Sequence, residues 1–386
     1  MRHKQLAHGR APAAPPTDTP VPLQMSTTLL ARARALALPL ATLALAACAA
    51  GDSDGAPFNA DGTTADLMAI AETFRTPAVA SFVASRGLID GALASPGVAS
   101  ALPALSAPTG ARFGGEARAF VRHARIAATR NEDSHPAVAA LLPDRILGAT
   151  LAWEPSRRRY VTGGEPGAPA DGARFVLYAI NAATGRPAQP LRPVGHVDVT
   201  HATTPAGGAV RLRVISGTTT WLDYVVSADR TTESAAVDMR GFVTNGADRV
   251  SFDIRTAYAL EDSTDGGRMD YRIGVPSRDL ALQWTVALGA LGSAAEPMTL
   301  DLALGSADGS VLVSGQVTGG TGTLHALANN VPVATLSVSG RSVALQRPDG
   351  AELDPAEARA LRHVLASVED ASRLSRQLLA PVASVM

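Results

Sequence analysis

From about Leu147 onward the apolar residues recur at every second position, and this period constrains the fold more than any other feature of the chain. Val250, Phe252 and Ile254 alternate with Arg249, Ser251, Asp253 and Arg255. Met269, Tyr271 and Ile273 alternate with Arg268, Asp270 and Arg272. Leu280, Leu282, Trp284, Val286 and Leu288 alternate with Ala281, Gln283, Thr285 and Ala287. Strict alternation is the mark of strands with one buried and one wet face. The runs are broken at Thr184-Gly185, Asn245-Gly246, Asp308-Gly309, Asn329-Asn330 and Ser339-Gly340. Gly and Asn tolerate the positive φ that tight hairpin turns need. Short turns join antiparallel neighbours, so the spacing predicts a meander of about 12 to 15 strands over residues 148–350. Phe175–Ile180 and Leu222–Val226 are apolar on both faces and need cover on both.

The flanks read as helix. Over 64–147, Thr64 is placed to cap a helix bearing Leu67, Ile70 and Phe74 on one face. Pro77 suits the start of a second helix with Val79, Phe82 and Val83 behind it. Residues 92–112, rich in Ala, Ser, Pro and Gly, read as a loop. Two short helices are expected near Glu116–Thr129 and Pro136–Leu142. At the other end, over 351–386, Asp354, Pro355 and Glu357 stand at N-cap, N1 and capping-box spacing. Leu361, Leu365, Val368, Leu374 and Leu378 form one stripe, and Arg359, Arg362, Glu369, Asp370, Arg373 and Arg376 lie opposite. Mixed charge on that side points to water rather than to a bilayer interface, so the stripe is expected to pack on the sheet. The expected fold is therefore mainly β, or α+β: a large antiparallel meander, as a sandwich or half-barrel, with a helical N-terminal segment and a C-terminal helix.

The segment ahead of the body carries an address. Arg32 and Arg34 precede an uncharged apolar run, Ala35–Ala44, followed by Leu45, Ala46, Ala47 and Cys48. The run is too short for a usual spanning helix of about 20 residues and fits a signal-peptide core. In this order of residues the chain resembles the bacterial lipoproteins, whose lipobox sets Leu three positions before an invariant Cys with small residues between. The resemblance covers about 24 residues. It implies that residues 1–47 are a leader and signal peptide, and that Cys48, the chain's one cysteine, carries acyl chains that hold it to a membrane. Two or three such chains anchor stably where one is marginal. Ala49, not Asp, follows the cysteine, which by the same resemblance points to the outer membrane. Residues 1–24 are Pro- and Ala-rich, and a start at Met25 would give a signal of ordinary length. Residues 48–63, small, polar and Gly-rich, read as a flexible tether with a reach of roughly 20–25 Å.

Charge and motifs narrow the function. From Cys48 on there are 29 basic and 34 acidic residues, a balance that argues against a nucleic-acid partner. A lone cysteine excludes an intrachain disulfide and a Cys-only zinc site. The only lysine is Lys4, so arginine supplies nearly all positive charge. His196, Asp198 and His201 form the best-looking polar cluster. Residues 196 and 198 share a strand face, but a metal would need further ligands, and a solvated strand end explains the cluster as well. Asp262, Asp265 and Asp270 around Gly266-Gly267 read as a polar hairpin before a cation loop. The aspartates 52, 54 and 61 lack the spacing of a calcium loop. There is no G-x-S-x-G, H-E-x-x-H or P-loop, and no cofactor signature. The expectation is a non-catalytic binding or structural lipoprotein of the bacterial envelope, anchored through Cys48, with an envelope protein or an apolar ligand as partner. The alternatives are a carrier of lipid or another apolar ligand, and a hydrolase of an envelope polymer.

Overall fold

The computed structural model describes residues 58–93, 113–129, 142–204, 207–260, 266–289 and 297–382, all within one compact unit spanning 50–386. The expected lipobox at residues 45–48, the expected tether as far as residue 57 and the expected helix over 136–142 lie outside the described residues, the last up to residue 141; residues 60–63, also expected in the tether, are helical. Helices α1 (Ala60–Thr73), α2 (Pro77–Leu93) and α3 (Gly115–Thr129) precede the strands. Helix α4 (Pro355–Leu379) follows them. The strands are β1 (Ala149–Glu154), β2 (Arg159–Thr162), β3 (Gly172–Tyr178), β4 (Ile180–Asn181), β5 (Arg186–Pro187), β6 (Pro193–Thr204), β7 (Gly207–Ser216), β8 (Thr219–Arg230) and β9 (Ser234–Thr244). They continue as β10 (Arg249–Ala259), β11 (Gly267–Val275), β12 (Leu280–Leu288), β13 (Met298–Ser306), β14 (Gly309–Thr318), β15 (Thr321–Ala328), β16 (Val331–Ser339) and β17 (Ser342–Gln346).

Fifteen strands make one sheet, and β4 with β5 makes a separate two-stranded ribbon. From β6 to β17 the order is strictly sequential and antiparallel, the meander that the alternation predicts. The first strands depart from it. β1 pairs parallel with β3, from Ala149 opposite Ala173 to Leu151 opposite Phe175, and β2 sits outside β1 at the edge. All five turn dipeptides fall at reversals, with positive φ at Gly185, Gly246, Gly309, Gly340 and both Asn329 and Asn330.

One face of the sheet is the core. Val250, Phe252, Ile254, Met269, Tyr271, Ile273, Leu280, Leu282, Trp284, Val286 and Leu288 are buried as their alternation requires. One continuous cluster joins them to Leu67, Phe82 and Ile89 of α1 and α2, Phe120 and Val121 of α3, and Leu361, Val364, Leu365 and Val368 of α4. Fifteen strands at about 4.8 Å would span roughly 65–70 Å if flat, and sheets beyond about ten strands curl. Helices α1 to α4 all contribute buried side chains to the cluster on this face.

Polar ties fix the helices. The Tyr224 hydroxyl donates to the Leu378 carbonyl at 2.9 Å and the Tyr258 hydroxyl to the Ala124 carbonyl at 2.7 Å. The Ser375 hydroxyl donates to the Tyr271 oxygen at 3.1 Å, and the Ser81 hydroxyl to the Tyr178 carbonyl at 2.6 Å. Gly267 lets α3 come close, because a Cβ there would collide with Val121. The capping box of α4 forms as its sequence predicts, and Leu361, Leu365, Val368 and Leu378 are buried.

Three details differ from the sequence expectation. Helix α1 starts at Ala60, with Asn59 rather than Thr64 as its cap and the Asn59 Oδ1 accepting from Gly62 N at 2.9 Å. The strand apolar on both faces, β3, is covered by α2, which also lies against β2, β6 and β7; α4 packs on α1 and α3 and meets the sheet through Tyr224 and Tyr271. Arg376, on the side of α4 expected to face water, is buried. The arrival of α3 makes the difference, because Glu116 meets Arg376 at 2.7 Å.

Candidate functional site

Three places bring polar chemistry together. The first is the outer face of β6. Alternation sets His196 and Asp198 on that face, and His201 falls on the other, with Val197 and Val199. Asp198 is only 2% exposed and is already engaged: Arg174 Nε and Nη2 donate to its two oxygens at 2.7 and 2.9 Å. Arg213 Nη2 stands 3.9 Å from it and His196 Nε2 4.0 Å. The His196 Nε2 is buried without a hydrogen-bond partner. Burial, then Arg174, hold its pKa below the usual histidine value against the opposing pull of Asp198, so the ring is neutral near pH 7. Among the described residues no group of three or more His, Cys, Asp or Glu is placed to hold a metal ion.

That cluster is one step in a longer pattern. Across the outer face Arg211 meets Asp223 at 2.8 Å, Arg240 meets Asp253 at 3.2 Å and Arg255 meets Asp238 at 3.3 Å. Asp270 accepts from Arg268 at 2.8 Å and from the Thr285 hydroxyl at 2.7 Å. Although burial pushes the Asp270 carboxyl up, these donors outweigh it and hold its pKa low. Asp270 is thereby bound up with Arg268 and Thr285, while Asp262 and Asp265 lie outside the described residues. Exposed pairs of this kind add little stability, about 0–1 kcal/mol each. Their consequence is an outer face covered by paired charges.

The second place is the seam between α3 and α4. The Glu369 carboxylate accepts from the backbone amides of Gly114 and Glu116, the latter at 3.0 Å, and so caps the start of α3. Burial pushes the Glu369 pKa up against the pull of those amides. Arg376 and Arg373 both reach Glu116, at 2.7 and 3.6 Å. Nearby, the His123 ring contacts the Ala119 carbonyl at 2.6 Å, and burial lowers its pKa. Glu369, Glu116, Arg373 and Arg376 are thus spent on joining the two helices, while His123 bonds within α3.

The third place is an open cleft of about 540 Å³ between two hairpins, lined by Trp153, Pro155, Arg158, Asn181, Thr184, Arg186, Pro187, Ala188 and Gln189. One wall is the β1–β2 turn and the other the β4–β5 ribbon. Trp153 is tied to the core through Tyr160, edge-on at 5.9 Å, and through it to Phe175 at 5.3 Å. Asn181 stiffens its own turn by accepting from Ala183 N at 2.9 Å. Two-residue strands leave no periodic trace, so the sequence pattern does not reveal this site; the run Arg157-Arg158-Arg159 is its one local signal. Of the other tryptophans, Trp284 is stacked on Tyr271 in the core with ring centroids 4.0 Å apart.

No family model matches this chain, no curated protein matches it in sequence, and no solved structure matches its fold. Among the described residues no helix is long and apolar enough to cross a membrane.

Proposed function

We propose that this chain is a lipid-anchored bacterial envelope lipoprotein, held at the outer membrane through Cys48, whose folded body has a non-catalytic binding or structural role. The observation that carries the reading for the body is the filled inner face of the sheet. Leu361, Val364, Leu365 and Val368 of α4, Phe82 and Ile89 of α2 and Phe120 of α3 occupy the space that an apolar ligand would take. The tyrosine hydroxyls of β8, β10 and β11 are committed to helices α3 and α4. Two of the buried carboxylates are likewise engaged: Asp198 by Arg174, and Glu116 by Arg376. The anchor rests on the order Leu45, Ala46, Ala47, Cys48 behind Arg32, Arg34 and their apolar run.

The carrier reading has one observation in its favour. Thr256 Oγ1, Trp284 Nε1 and Ser372 Oγ are buried without hydrogen-bond partners, so the inner face is not fully satisfied by its own helices. Solvent extraction of the protein purified from envelopes separates the two readings. The binding or structural role predicts no stoichiometric apolar molecule beyond the chains bonded to Cys48. One equivalent of extractable lipid per chain would replace it with the carrier.

A further inference from the structure

We infer that the cleft between the β1–β2 turn and the β4–β5 ribbon is an anion site that takes a phosphate ester. Residues 153–163 and 180–193, the segments from which both walls are drawn, contain five arginines (157, 158, 159, 186 and 192), two of them in the lining, against the single acid Glu154. The chain from Cys48 onward has more acids than bases, so this corner runs against the whole. All five arginines are exposed. On the outer face of the sheet, Arg174, Arg211, Arg240, Arg255 and Arg268 each face an aspartate. Arg158 and Arg186, the two that line the cleft, have no ion-pair partner among the described residues. Glu154, the acid within these two segments, accepts instead from the hydroxyl and amide of Ser156 at 2.8 and 3.3 Å.

Backbone strain points the same way. Four non-glycine residues among those described have positive φ. Three are Asp279, Asn329 and Asn330, whose short polar side chains tolerate that region. The fourth is Arg158, at 51°, where glycine would sit without cost. A long cation held in a conformation that disfavours it, at the mouth of a cleft, marks a position whose side chain has a use.

The shape selects the ligand class. A guanidinium fork donates two parallel hydrogen bonds to phosphate or carboxylate. Two forks from opposite walls match the double charge of a phosphate monoester better than the single charge of a carboxylate. The side-chain amides of Asn181 and Gln189 can donate to remaining oxygens. Trp153, Pro155 and Pro187 offer apolar contact to the carbon skeleton of the ester. The cleft volume falls within the range of small-molecule pockets, about 300–1,000 Å³, and accommodates a glycerophosphate or sugar phosphate. Free esters and lipid headgroups share this chemistry.

The inference gives a ligand class to the binding role proposed above and rests on that reading. Its test is titration calorimetry of the full chain in detergent, at low salt, with glycerol 3-phosphate, with dihexanoyl phosphatidic acid, and with glycerol as the uncharged control. Saturable binding of both phosphates assigns the site to free esters, and binding of phosphatidic acid alone assigns it to headgroups. In either case the Arg158→Gly, Arg186→Ala double variant, which keeps the turn's φ, should bind at least about tenfold more weakly, and Arg211→Ala should bind like wild type. Unchanged unfolding midpoints would show that the double variant is folded. Failure of the wild type to bind either phosphate, or equal binding by the double variant, would overturn the site. Neither failure touches the acylation of Cys48 or the extraction result, so the envelope reading stands or falls separately.

Discussion

Replacing Leu365 with alanine asks whether α4 is part of the core or an arm laid over it. Leu365 is 5% exposed, with Leu361 and Val364 buried beside it on the same helix. The substitution removes three carbon groups, about 2.4 kcal/mol of transfer free energy at roughly 0.8 kcal/mol each. Leu365 belongs to one continuous buried cluster with Leu361, Val364, Val368 and the inner face of the sheet, and a close-packed core collapses only partly into such a void. A cavity contribution then brings the cost to about 3–4 kcal/mol, inside the usual range for buried leucines. For a body of this size the melting temperature moves by about 1.5 °C per kcal/mol, which gives a drop of about 4–6 °C. Arg362, exposed on the opposite side of α4, is the control; Arg362→Ala should stay within about 0.5 kcal/mol of wild type. Calorimetric melting of the three proteins decides. Coincident melting of wild type and Leu365→Ala would refute the docked helix and, with it, the filled interior.

Two further outcomes follow from the seam between α3 and α4. Arg376→Met leaves Glu116 buried without its closest partner and should cost about 3–5 kcal/mol, whereas Arg376→Met combined with Glu116→Gln should recover much of the loss; thermal melts of both test the pair. His123 titrates below the ordinary 6.5 in the folded protein because burial disfavours the charged ring, so its contribution to stability is complete above pH 6.5 and is lost as the pH falls through the folded value. His123→Gln should flatten that acid limb in a series of melts from pH 8 to pH 4, and an unchanged slope would remove His123 as its cause.

What could be read from the sequence was what local chemistry decides. The inward row Leu280 to Leu288 and the cap formed by Asp354 and Glu357 depend only on neighbours a few residues away, and both stand as expected. The five turn dipeptides do too, because positive φ is a property of one residue. The limits appear wherever a distant segment intervenes. Spacing put His196 and Asp198 on one face, but nothing local indicated that Arg174, 24 residues earlier, would occupy the carboxylate. Glu369 and Arg376 look like solvent-facing charges on a helical wheel. They are drawn in by α3, more than 250 residues away in the chain. The cleft was hidden for another reason: it is built from a turn and two strands of two residues, too short to show a period.

The central claim, that the body is tethered by acyl chains on the chain's one cysteine, is tested most directly by intact-mass and N-terminal peptide analysis of the protein isolated from a bacterium with the lipoprotein pathway. The expected result is a mature N-terminus at Cys48 with diacylglycerol bonded to its sulfur, and a Cys48→Ala variant that is neither processed nor acylated. A mature chain that begins elsewhere, or one that begins at Cys48 with a free thiol, would contradict it.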